Sequence, residues 1–136
     1  MIHEEICTYE LCKLAKENGF DVPTHYAYNE NCQKAMYMEL CLNRNTKDSR
    51  SISAPTQSLL QRWLREERGI IVEVIAQPTC STSKKNCYWW SVKQNSDGLC
   101  YQYEECSYLL YSDEGYFDTY ELALEDAELY CLKNLL

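Results

Sequence analysis

Nine cysteines, at positions 7, 12, 32, 41, 80, 87, 100, 106 and 131, are the first residues of this chain that could do chemistry, through metal ligation, nucleophilic attack or disulfide formation. Their spacing argues against zinc. A knuckle sets two cysteines about three positions apart, whereas the nearest pairs here, Cys7 with Cys12, Cys100 with Cys106 and Cys80 with Cys87, are five to seven apart. A four-cysteine site from Cys80, Cys87, Cys100 and Cys106 is the remaining metal alternative. Nine is an odd number and, in 136 residues, falls below the density of a disulfide scaffold. The cysteines are therefore expected to be free thiols, with no metal and no cofactor.

His25 with a cysteine would make a nucleophilic dyad, but nothing in the sequence sets a thiol beside it, and four scattered glycines supply no oxyanion loop. There is no Gly-rich phosphate loop and no His-Glu-x-x-His, and Glu66 and Glu67, adjacent on a helix, point apart. No catalytic residue is assigned. Arg62, Arg65 and Arg68, preceded by Arg44, Lys47 and Arg50, form a basic arc that would suit a nucleic-acid-binding regulator. The plainer reading is a solvated helix face on which Arg62 pairs with Glu66. Thirteen basic against twenty-one acidic residues give a net charge of −8, which repels a phosphate backbone and disfavours nucleic acid. The charge is uneven, +1 over residues 1–96 and −9 over 97–136, so the acidic end is either a wet face or a docking surface for a basic partner.

These residues need elements to position them, and a chain of 136 residues forms one domain, 1–136. Thr8 to Asn18 reads as a helix stopped by Gly19, with Phe20 folding back on its last turn. Thr24–Glu30 and Ala35–Leu42 read as a hairpin in which Met36, Met38, Leu40 and Leu42 share the apolar face and Tyr37 the polar one. Residues 43–53 read as an exposed loop. The next helix is expected to start at Ser53 as N-cap, with Leu59, Leu60, Trp63 and Leu64 as its apolar stripe and Gly69 as its stop. Ile70–Ala76 and Cys87–Gln94 are strands, joined by a polar stretch from Pro78 to Asn86, and Leu99–Tyr103 and Ser107–Tyr111 are read as extended. Asp118 with Glu121 predicts a capping box, opening a last helix whose buried face is Tyr120, Leu124, Ala127, Cys131 and Leu135. Strands that follow one another through short connections imply an α+β domain, with a mainly antiparallel sheet of four to five strands and three helices packed on one face.

Three segments resemble, in order and spacing, a family of small uncharacterised proteins of phages and mobile elements of gut Bacteroidetes. They are Lys13 to Phe20, the run Ser-Ala-Pro-Thr-Gln-Ser-Leu-Leu-Gln-Arg-Trp-Leu-Arg-Glu from Ser53 to Glu66, and Tyr-Phe-Asp-Thr-Tyr-Glu from Tyr116 to Glu121 running into Ala123-Leu124-Glu125. The resemblance implies a bacterial host cell as the setting and carries no activity. Glu128 to Cys131 and the many cysteines depart from the family's pattern.

Met1 to Glu5 has no basic start and no stretch reaches the ~18 apolar residues of a membrane span, so a cytoplasmic protein with no membrane association is expected. Alternation along the second strand pair puts Trp90 in the core and Trp89 on the other face, where an exposed Trp89 near Tyr37 would anchor a partner. Leu122, Leu129 and Leu136 repeat every seven residues on the far side of the last helix, with Leu132 at their edge, a row to be covered by the chain itself or by a second copy. The expectation is a non-enzymatic binding or accessory protein, monomeric or weakly dimeric, that contacts an unidentified protein. The alternatives are a ligand-binding or hydrolytic accessory with a helix–sheet pocket, and a nucleic-acid regulator using Arg62, Arg65 and Arg68.

Overall fold

The computed structural model describes residues 2–30, 32–77, 87–94, 105–106 and 117–136. Expectations for residues 78–86, 95–104 and 107–116, including the two extended stretches at 99–103 and 107–111, lie outside the described residues, as does most of the four-cysteine alternative. The chain is an α+β domain. Its described elements run α1 (Tyr9–Glu17), β1 (Thr24–Asn29), β2 (Cys32–Leu42), β3 (Ser51–Ser53), α2 (Gln57–Arg68), β4 (Ile70–Gln77), β5 (Cys87–Gln94), β6 (Glu105–Cys106) and α3 (Tyr120–Asn134). The strands divide between two antiparallel sheets, ordered β2-β1-β3 and β4-β5-β6. Among the described helices, none is long and apolar enough to cross a membrane.

Helix ends follow hydroxyl caps and glycine stops. Thr8 caps α1 by accepting from Leu11 N–H, and Gly19, at φ +87°, lets the chain double back so that Phe20 N–H reaches Ala15 O at 2.9 Å. Gly69, at φ 64°, closes α2 in the same way. Two expected caps move. Ser53 is taken up by β3, where it pairs with Ala27, and the cap of α2 passes to Thr56, whose hydroxyl accepts from Leu59 N–H at 3.2 Å. At α3 Thr119 rather than Asp118 is the N-cap, accepting from Leu122 N–H at 3.1 Å. In both cases the Ser or Asp is displaced by a threonine nearer the first helical residue.

The segment 43–53 is tied down more than a loop of its composition suggests. Asn45 donates to Phe20 O and accepts from Ser53 N–H, each at 2.9 Å, and Lys16 Nζ donates to the carbonyls of Ser49 and Ser51. Upstream, Ile6 bridges to Thr56, with Cys7 N–H on Pro55 O and Gln57 N–H on Glu5 O, both at 2.9 Å. These contacts carry the N-terminal segment past the start of α2.

One core unites both sheets with all three helices. Trp63 meets Phe20 edge to face at 5.4 Å, and Trp90, wholly buried, packs on Tyr130 and donates its indole N–H to Asp126 at 2.8 Å. On α3 the buried face is Ala123, Leu124, Ala127, Glu128, Cys131 and Leu132. Leu124, Ala127 and Cys131 are buried as expected and Leu135 packs against the core, whereas Tyr120 is 41% exposed and the stripe widens to take in Ala123, Glu128 and Leu132.

Candidate functional site

The largest difference from the expected pattern is in the β1–β2 hairpin. Eleven residues of β2 run beside six of β1, and the register Thr24–Leu42, Tyr26–Tyr37, Ala27–Met36, Asn29–Cys32 holds extra β2 residues on either side of the central pairs. Such bulges break the two-residue alternation and re-aim side chains. The expected apolar face therefore does not form: Met36, Leu40 and Leu42 are exposed, Leu40 by 67%, as is Tyr37 by 61%. His25 lies flat on Tyr37, ring centroids 5.6 Å apart, and its Nδ1 donates to Met38 O at 3.2 Å, which fixes the ring plane. Tyr26 meets Tyr37 edge-on at 5.4 Å.

Between this aromatic group and one side of α2, from Ser58 to Arg65, lies a groove of about 680 Å³. His25, Tyr26 and Tyr37 line it from the hairpin, and Arg62 and Arg65 line it from the helix. Pro55 and Leu59 contribute apolar surface, and Glu4 stands at the rim, its carboxylate accepting the Ser58 hydroxyl at 2.7 Å. Cys41 also lines the groove, so a thiol and His25 do share one cavity. The bulges in β2 create that proximity, which sequence spacing could not show.

The three arginines do not form one patch. Arg62 pairs with Glu66 at 2.9 Å, Arg65 opens on the groove, and Arg68 turns away to hold the end of α1. Its guanidinium donates to Asn18 O at 2.6 Å and lies 5.0 Å from the Trp63 ring centroid, a cation–π contact. Trp89 and Tyr37 sit in different sheets, Trp89 opposite Ile75 in β5 and partly buried, and Trp89 does not line the groove. On α3, Leu122 and Leu136 are 50% and 42% exposed, but Leu129 between them packs against the core. The leucine row is thus interrupted.

The other concentration of reactive groups is buried. Glu128 on α3 is fully enclosed; its Oε2 lies 3.9 Å from Cys7 Sγ, and its Oε1 has no hydrogen-bond partner among the described residues. Burial pushes the Glu128 carboxyl well above the usual carboxylate range, and Cys12 and Glu125 add to the shift. Contact with the Cys12 side chain, then burial and Glu128, raise the Cys7 thiol. Burial drives Cys131 to about 12, assisted by Glu128. Tyr28, whose hydroxyl donates to Cys7 O at 2.8 Å, is likewise raised to about 12 by burial. Cys7, Cys12, Cys41, Cys87 and Cys131 are free, and no group of His, Cys, Asp and Glu among the described residues has the geometry of a metal site. A carboxyl pushed toward its neutral form beside the raised Cys7 and Cys131 thiols is poor nucleophilic machinery. It is core. Sequence reasoning passed over Glu128 by taking its type as solvent-facing, although its spacing of four from Leu124 and three from Cys131 puts it on the buried side.

No family model, curated protein or solved structure matches this chain.

Proposed function

We propose that the protein is a non-enzymatic, cytoplasmic binding protein, an accessory of a phage or mobile element in its bacterial host. It acts as a monomer or weak homodimer and engages a protein partner through the β1–β2 hairpin and the adjoining half of α2. The observation that carries this reading is the concentration of Met36, Tyr37, Leu40 and Leu42, all exposed, on one strand beside a groove. On a monomer's surface large apolar side chains are ordinarily scattered, and a cluster of them marks a contact surface. β2 is also the outer strand of its sheet, with no further strand on its far side among the described residues, and open strand edges invite partners.

The ligand-binding alternative draws on the same groove, whose volume lies in the ~300–1,000 Å³ range of small-molecule sites. Affinity capture from infected or lysogenic host cells separates the readings. A partner retained by the wild type and by Leu122→Lys but lost from a Tyr37→Ala, Leu40→Lys variant supports the hairpin surface. A partner lost only from Leu122→Lys moves the interface to α3 and overturns it.

A further inference from the structure

The groove has a charge and a shape that narrow what it can hold. Its lining brings two arginines against one acidic side chain, Glu4, which is already engaged by Ser58. Arg65 has no ion pair among the described residues. Arg62 is held by Glu66, but both side chains are at least half exposed, and a pair so exposed is easily exchanged for a better-placed acceptor. A guanidinium fork matches a carboxylate in two parallel hydrogen bonds. Across from the arginines, the stacked His25–Tyr37 pair with Tyr26 against its edge supplies ring faces on which an aromatic or proline side chain packs.

We infer that the groove takes an extended segment of the partner protein in which an Asp or Glu stands close to an aromatic or proline residue. This rests on the hairpin reading above and specifies its occupant. The carboxylate is received by Arg62 and Arg65, and the ring by the His25–Tyr37 stack. Acidic hollows elsewhere among the described residues disfavour such a segment. Two smaller hollows, of about 370 and 460 Å³, carry Glu5, Glu121 and Glu125 in one and Glu10 and Glu125 in the other, and they repel it. A nucleic acid is favoured less, because a run of phosphates would meet the −8 of the chain and the neighbouring Glu66 and Glu67, whereas one carboxylate needs only the local fork.

Selection from a random dodecapeptide display library on the immobilised full chain tests this without presupposing a sequence. The expected result is enrichment of peptides pairing Asp or Glu with Phe, Tyr, Trp or Pro. A selected peptide, made with blocked ends and a fluorophore, should bind about tenfold or more weakly to Arg62→Gln, Arg65→Gln and to Tyr37→Ala, as lost charge-assisted and ring contacts of ~1.4 kcal/mol or more imply. All three positions are exposed, so the variants should fold, which circular dichroism checks. No enrichment, enrichment of basic peptides, or equal binding by the arginine variant overturns the inference, as does tighter, salt-sensitive binding of oligothymidine at the same residues. If host-cell capture depends on Tyr37 and Leu40 but not on Arg62 and Arg65, the hairpin surface stands and the acidic occupant falls.

Discussion

The Glu128 cluster and the hairpin groove both gather titratable and aromatic groups, yet they differ in what water can reach. In the cluster, three cysteines and a carboxyl are each fully buried; burial raises Glu128 and Cys131, and the Cys12 contact together with burial raises Cys7, which favours the neutral forms. In the groove, His25, Tyr37, Cys41, Arg62 and Arg65 are all exposed; ring contacts and a backbone carbonyl hold His25 and Tyr37, and a neighbouring carboxylate holds Arg62. The residues with the richest chemistry by type are thus spent on packing, since a reduced, neutral thiol behaves as a small apolar side chain. Recognition falls instead to tyrosines and arginines, which combine rigid surface with directional charge.

If that division is right, the core should be intolerant where the groove is indifferent. Trp63→Asp has the largest expected effect. It removes a buried ring in contact with Phe20, at ~3–5 kcal/mol for such truncations, and places a charge among apolar neighbours. Against a typical total of ~5–15 kcal/mol this should leave the chain unfolded, as seen by loss of a cooperative melt. A variant that melts cooperatively at the wild-type temperature would mean that α2 is not held by this stripe. Next comes the Trp89 and Trp90 pair. Trp90→Ala should cost ~3–5 kcal/mol, including its bond to Asp126, and Trp89→Ala clearly less. Equal losses in denaturant titration would show both faces of β5 to be equally enclosed.

Glu128 gives a pH test. Its value in the folded state is raised above the unfolded one, about 4.3. The folded chain therefore keeps a proton that the unfolded chain has released, and stability present in full below the unfolded value is lost as pH rises toward the folded one. The slope is up to ~1.4 kcal/mol per pH unit. Glu128→Gln removes it, so the variant should be the more stable at pH 8 and lose its advantage near pH 4, as followed by melting temperature. The raised Cys7, Cys131 and Tyr28 act with the same sign at more alkaline pH. Parallel pH profiles for variant and wild type would place an ionised, paired Glu128 in the core and erase the contrast with the groove.

How much of this could be read beforehand depended on range along the chain. Gly19 with Phe20, the Leu59 to Leu64 stripe and the Arg62–Glu66 pair follow from spacing within a turn or two, and they stand where expected. The caps at Thr56 and Thr119 lie three and one positions beyond the expected residues; Ser53 is claimed by a partner strand that local sequence does not reveal, and at the last helix Thr119 stands one residue nearer the first turn than Asp118. The groove was legible only in pieces. His25, Tyr37, Arg62 and Arg65 each stand out by type, but their convergence depends on bulges in β2, and no residue in Ala35–Leu42 announces a break in an otherwise regular alternation.

The smallest stability effect is expected at the surface whose functional effect should be greatest. Tyr37→Ala and Leu40→Lys remove side chains more than half exposed, and substitutions at such sites usually stay within about 0.5 kcal/mol. Tyr37 has some packing to lose, in its contacts with His25 and Tyr26, so its cost should be the larger of the two. Leu40→Lys should be neutral, and a charge on an outer strand should also make self-association less favourable. Chemical denaturation of the two variants beside the wild type measures the first point, and light scattering across a concentration series the second. A loss near that of Trp89→Ala would mean that β2 is covered by the chain's own structure. Its apolar residues would then belong to the core, and the difference between the two regions would be one of degree.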